Sequence, residues 1–244
     1  MKQLFLFAAA LLCLNTVLQA QNMKPEETEY WHDQPRKVTP GNGVTPPSDA
    51  IVLFDGKDFS KWVSDNGGEV KWKIEDGAMT VVGGTGGIHT KEHFGDCQLH
   101  IEFRSSTVIK GTSQGRGNSG IFLQSKYEVQ VLDCYDNQTY SNGFVGSIYK
   151  QSAPLVDVCK KPGEWQTFDI IWTGPRFGTD GKLDAPATIT VFLNGVLVQN
   201  HFELKGTTPY TGYPSYRPAH GRLPLALQDH GNPVSFRNIW IRNL

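Results

Sequence analysis

Thr188-Ile189-Thr190-Val191-Phe192-Leu193-Asn194-Gly195-Val196-Leu197-Val198-Gln199 reads as two extended strands with a turn between them. Its arms are built from β-branched and aromatic residues, which fit a pleated, half-buried surface. Asn-Gly is the pair that a two-residue type I′ turn requires, because both of its positions need positive φ. The same texture recurs on either side of this hairpin. Residues 70–74 and 78–82 flank Glu75-Asp76-Gly77, a second hairpin signal. Period-two alternation runs through residues 98–104, 119–123, 127–132, 167–172, 223–228 and 234–242. No window keeps a helical period for three turns. The 26 glycines and the 11% aromatic content suit a chain of short strands and tight turns. Roughly a dozen strands at this spacing predict an all-β, antiparallel β-sandwich of two stacked sheets.

The chain before this domain has a different character. Lys2, an apolar run over residues 4–14 and a small Ala20 before Gln21 follow the order of a secretory signal peptide. The run is too short to span a bilayer, and no later stretch is long enough. Ala10-Leu11-Leu12 before Cys13 lacks the small residues of a lipoprotein cleavage site. Residues 1–20 therefore predict export, to the periplasm or the outer cell surface. Residues 21–49 are polar and carry Pro35, Pro40, Pro46 and Pro47, which reads as an extended lead-in. Residues 50–244 are expected to form a single β-sandwich domain. A net charge of -1 supplies no field to recruit nucleic acid. Beyond the leader stand Cys97, Cys134 and Cys159, an odd number that permits at most one disulfide. Cys134 with Cys159 is the expected pair, since both flank loops.

Four segments carry polar residues where chemistry would need them. In Tyr127-Glu128-Val129-Gln130-Val131-Leu132-Asp133, alternation puts Glu128 and Gln130 on one face and Val129 and Val131 on the other. Asp133 joins the polar face only if a bulge intervenes. The plainer alternative is an edge strand with solvent-facing polar residues. Gly115-Arg116-Gly117-Asn118-Ser119-Gly120 offers a cation and an amide on a backbone that a ligand can approach closely. Leu227-Gln228-Asp229-His230-Gly231 supplies an imidazole able to act as acid, base or ligand. Ser147-Ile148-Tyr149-Lys150 places a second cation. His89, His93 and His100 read as surface or structural residues. Most tryptophans are expected in the core, with one or two stacking on a ligand ring. The sequence has no paired-Cys or phosphate-loop motif. The His-x-x-x-His spacing of residues 89–93, the Gly-x-Ser-x-Gly of residues 111–115 and the Gly-x-Gly-x-x-Gly of residues 115–120 lack the helical pattern that each of those motifs needs. A divalent cation on Glu128, Asp133 or His230 stays open, and no other cofactor is expected.

With these segments the chain resembles the 3-keto-disaccharide hydrolase domain family, also described as 3-keto-glucoside 1,2-lyase/3-keto-2-hydroxy-glucal hydratase domains. Three further stretches share the resemblance: Leu53-Phe54-Asp55-Gly56-Lys57-Asp58-Phe59-Ser60-Lys61-Trp62, Gly163-Glu164-Trp165-Gln166 and Val234-Ser235-Phe236-Arg237-Asn238-Ile239-Trp240-Ile241. The resemblance implies a concanavalin-like jelly roll, export and a carbohydrate substrate. The 127–133 strand is also similar to that of laminarinase-type glucanases, which carry Glu-x-Asp-x-x-Glu. Here the middle carboxylate is Gln130 and the last is the shorter Asp133. Retaining hydrolysis needs two carboxyls about 5 Å apart. Elimination from a keto sugar needs one base, an oxyanion stabiliser and an acid. On the resemblance, Glu128 and His230, with Asp133, are the expected proton-transfer groups. Arg116, Asn118, Gln130, Lys150 and Gln228 would hold the ketone and hydroxyls. A conventional β-glucanase, a non-catalytic carbohydrate-binding module and an adhesion protein are the competing readings.

Overall fold

The computed structural model describes residues 23–42 and 45–244. The leader expected at residues 1–20 lies outside the described residues. The chain divides into two units, the first ending at Val38 and the second running over Thr39–Leu244. In the first, a single 3-10 turn forms at Pro25–Glu27. In the second, the described residues of 39–49 form no strand but are anchored. Thr39 and Ser48 exchange hydrogen bonds at 3.0 Å. Asp49 takes a fork of two bonds from Arg242, 2.9 and 2.7 Å long. Among the described residues no helix is long and apolar enough to cross a membrane.

Fifteen strands follow. The first eight are β1 (Ile51–Phe54), β2 (Trp62–Ser64), β3 (Lys73–Glu75), β4 (Ala78–Thr80), β5 (Ile88–Phe94), β6 (Cys97–Arg104), β7 (Ser119–Leu123) and β8 (Tyr127–Val131). The rest are β9 (Gln166–Thr173), β10 (Arg176–Phe177), β11 (Leu183–Ala185), β12 (Thr188–Leu193), β13 (Val196–Glu203), β14 (Leu223–Leu227) and β15 (Ser235–Asn243). An eight-stranded sheet has the order β13-β12-β9-β6-β15-β4-β3, with β1 also paired to β15. A five-stranded sheet has the order β2-β5-β14-β7-β8, and β10 and β11 form a small ribbon. All pairings are antiparallel. This is the antiparallel sandwich that the alternation predicts, with the concanavalin-like architecture that the resemblance implies.

Both expected hairpins form where the turn chemistry puts them. Asn194 and Gly195 take φ of +53° and +79° between β12 and β13, while Asp76 and Gly77 take +52° and +72° between β3 and β4. The alternation is equally direct in the core. Leu99, Ile101 and Phe103 of β6, Phe168, Ile170 and Trp172 of β9, and Tyr127, Val129 and Val131 of β8 are all buried. Tyr127 meets Trp172 at a ring separation of 5.0 Å and so ties one sheet to the other. Strand β5 is not visible in the sequence because Thr90 occupies one of its inward positions. Its hydroxyl donates to Glu92 O at 2.7 Å and accepts from Leu225 N at 3.1 Å, so a polar residue fills an apolar slot.

The expected Cys134–Cys159 disulfide is not formed. Cys97, Cys134 and Cys159 are free thiols. Hydrogen bonding to Cys134, with burial second, pushes the Cys159 pKa up, so the two side chains interact without being bonded.

Candidate functional site

The site starts from the register of β7 on β8. Gly120 pairs with Gln130 and Phe122 with Glu128, with no slip along the hairpin. Val129 and Val131 enter the core, so Glu128 and Gln130 point to the outer face of the five-stranded sheet. They are nonetheless buried, Glu128 to 5% exposure and Gln130 to 1%. The cover comes from the segment after β8. Gln130 N donates to Ser147 O at 3.0 Å, Gly146 N to Gln130 O at 2.9 Å and Tyr149 N to Glu128 O at 3.2 Å. Val129 bridges Ile148 in antiparallel fashion. Strand β8 is thus the last named strand of its sheet without being a solvated edge.

Gly120 makes room for the Glu128 carboxyl. A Cβ there would lie 2.5 Å from Glu128 Oε1 and 2.7 Å from Phe122 Cε2. The carboxyl has no hydrogen-bond partner among the described residues, and burial raises its pKa to about 8. Its backbone N–H donates to Thr208 Oγ1 at 3.0 Å.

The neighbouring amides are held in a chain. Gln130 Nε2 donates to Asn118 Oδ1 at 3.0 Å, and Asn118 Nδ2 donates to Gln114 O at 2.7 Å. Asn118 N donates to Asn232 Oδ1 at 2.8 Å, which fastens the β7 entry loop to the loop after β14. That second loop is shaped by Asp229, which accepts from Gly231 N at 2.8 Å and Gly86 N at 3.0 Å. It presents His230 at the rim. Gln228 Oε1 is buried without a partner. Gln114, Asn118, Phe122, Glu128, Gln130, Tyr149, Thr208, Tyr210, Gln228 and His230 enclose about 290 Å³. That is close to the lower end of small-molecule sites, about 300–1,000 Å³.

Five of the eight residues singled out in the sequence therefore line one pocket: Glu128, His230, Asn118, Gln130 and Gln228. Lys150 stands beside it, its Nζ 2.6 Å from Tyr210 O and 4.4 Å from the Tyr210 ring. Arg116 and Asp133 do not reach it. The two form a buried fork, Nε to Oδ2 at 2.9 Å and Nη2 to Oδ1 at 3.2 Å, and Arg116 also donates to Tyr135 O at 2.8 Å. The bulge that would turn Asp133 toward Glu128 is missing from the regular β7–β8 register, and Asp133 lies against Gly117 and Ser105 instead. The tryptophans of residues 39–244 stay off the pocket, whose rings are Phe122, Tyr149 and Tyr210. Tyr149 had a sequence signal, since it alternates with the buried Ile148. Thr208 and Tyr210 come from an irregular loop with none.

The family described as the 3-keto-alpha-glucoside-1,2-lyase-like domain matches residues 49–242. The chain belongs to this family. It is 53% identical to a protein of Parabacteroides distasonis that is provisionally named a glycosyl hydrolase. That crystal structure superposes with a TM-score of 0.87, covering 91% of this chain and 97% of the other. A second structure from the same organism, with the same provisional name, has 24% identity, a TM-score of 0.60 and coverage of 80% and 94%. It shares the fold. No curated protein sequence matches the chain.

Membership makes this a carbohydrate-acting domain, and the pocket suits that class. Amides and hydroxyls line it beside aromatic rings, the equipment for sugar hydroxyls and ring faces. Among the described residues Glu128 is the one carboxylate in its wall. No cluster of three or more His, Cys, Asp or Glu among them is placed to hold a metal ion. A 3-keto-alpha-glucoside-1,2-lyase-like domain built this way has one buried acid–base group, one rim imidazole and a set of fixed neutral dipoles.

Proposed function

We propose that this domain cleaves 3-keto-glycosides by elimination across carbons 1 and 2, followed by hydration. The observation that carries the reading is the solitary Glu128 carboxyl. Two-carboxylate hydrolysis needs a partner about 5 Å away, and Asp133, the sequence's candidate, is bound to Arg116 at 2.9 Å. Elimination needs no covalent nucleophile. A ketone at carbon 3 acidifies the hydrogen on carbon 2. Glu128 takes that proton, and the C–H electron pair passes into an enolate. The enolate collapses, the carbon 1–oxygen bond breaks with its pair, and His230 protonates the leaving oxygen. Water then adds across the new double bond, its hydroxyl to carbon 1 and its hydrogen to carbon 2. Gln130, Asn118 and Gln228 orient the ring. Oxidation at carbon 3 must be done beforehand by a dehydrogenase-type reaction. Export, read from residues 1–20, belongs to the same proposal.

The test is to incubate the protein with an α-glucoside and its 3-keto derivative and follow free aglycone. Release from the keto sugar alone is expected, and release from the plain glucoside overturns the reading. Because Glu128 must be ionised to act, the acid limb of kcat/KM should rise about tenfold per pH unit until the pH approaches about 8. Glu128→Gln should lose about 10²–10⁴-fold in rate.

A further inference from the structure

The reaction proposed above requires a donor for the enolate oxygen, and the rows of the sheet single one out. Pairings across the outer face place Gln228, Gly120, Gln130 and Ser147 in one row. The adjacent row runs from Phe122 through Glu128 to Tyr149. Phe122 is apolar, so Tyr149 is the hydrogen-bond donor beside Glu128 in its own row. Side chains directly opposite one another on paired strands have Cβ atoms about 4.5–5.5 Å apart.

We infer that the Tyr149 hydroxyl is a catalytic donor, holding the oxygen on carbon 3 as carbon 2 loses its proton to Glu128. This inference rests on the keto-glycoside reading. Base and donor must reach adjacent substrate atoms, and adjacent side chains on paired strands satisfy that need.

The surroundings of Tyr149 fit the role. It is 8% exposed and lines the pocket. Its oxygen lies 2.7 Å from the hydroxyl of Tyr140, which is 39% exposed. A phenol both donates and accepts. With Tyr140 donating, Tyr149 keeps its own proton for the pocket. Burial pushes the Tyr149 pKa up, so it is a neutral donor across the working range. Lys150 Nζ stands 5.7 Å from the Tyr149 ring and 5.9 Å from the Tyr140 ring. It is held there by the bond to Tyr210 O and by a left-handed backbone at φ +59°. A fixed cation beside the phenol pair favours negative charge developing at the oxygen they hold. Two of the other donors nearby are committed. Gln130 Nε2 donates to Asn118, and Arg116 serves Asp133.

The experiment uses a 3-keto sugar without a leaving group at carbon 1, in D₂O, and follows exchange of the carbon 2 hydrogen by NMR. Wild type is expected to exchange it. Tyr149→Phe should slow exchange by about 10²–10³-fold, the cost of removing one oxyanion donor, with an unchanged melting profile. Undiminished exchange in that variant overturns the assignment, even if aglycone release falls, because Tyr149 would then act on the leaving group. No exchange in wild type overturns the keto-glycoside reading itself. Should Tyr149→Phe fail to fold, Tyr140→Phe carries the test, since it leaves the Tyr149 ring and hydroxyl in place. Slowed exchange supports the inference, and exchange equal to wild type removes it.

Discussion

Glu128 is a largely buried carboxyl to which the fold gives no hydrogen-bond partner among the described residues. That has a consequence for stability. Its pKa rises from 4.5 in the open chain to about 8 in the folded one. The folded state therefore holds the proton more tightly. No penalty exists below pH 4.5, where both states are protonated. The penalty grows as pH rises toward 8 and is complete above it. The shift corresponds to on the order of 4–5 kcal/mol as an upper bound. Glu128→Gln escapes it. In urea unfolding the variant should match wild type near about pH 5 and exceed it near about pH 9. A variant that gains nothing at high pH would show that the carboxyl is solvated. This residue was legible because it alternates with apolar neighbours, as Gln130 does. Asp133 was misplaced because one residue of parity decides which way a side chain faces, and the bulge the sequence reading needed is not there. Tyr149 carries no charge to mark it in the sequence, whereas its neighbour Lys150 does.

At the scale of elements, the loop before β7 and the turn after β8 are joined by the Arg116–Asp133 fork. Asp133 is 3% exposed. Removing one partner leaves a buried charge unpaired, which costs about 3–5 kcal/mol. Arg116→Ala should lose that much in denaturant unfolding. Arg116→Ala with Asp133→Ala should recover part of it, because no buried charge is then stranded. Equal losses in the two would mean that the fork contributes little. The two hairpins were plain in the sequence because their turns demand particular residues. Strand β5 was hidden by Thr90, whose place is set by a hydrogen bond from β14, a strand far along the chain. Local composition cannot announce a partner that arrives later.

For the whole molecule, the two sheets share one core, and alternation alone announced it. Phe168 is fully buried in the larger sheet and stacks on Phe103 at 5.2 Å. Phe168→Ala should cost about 3–5 kcal/mol, read as a lower urea midpoint at unchanged slope. A changed slope would point to loosened sheets instead of a cavity. Strand order was not legible. The last strand, β15, lies between β6 and the early strands β1 and β4, and no short window encodes a pairing between chain ends. One feature of the fold reaches beyond the single molecule. Residues 146–149 occupy backbone groups of β8 that would otherwise stand open at the margin of the sheet. A row of free amides and carbonyls is a template for strand pairing between molecules. A substitution that unseats this segment would take Tyr149 away from Glu128 and at the same time uncover an adhesive border, so that failing turnover and clumping of the protein would be inherited as one trait.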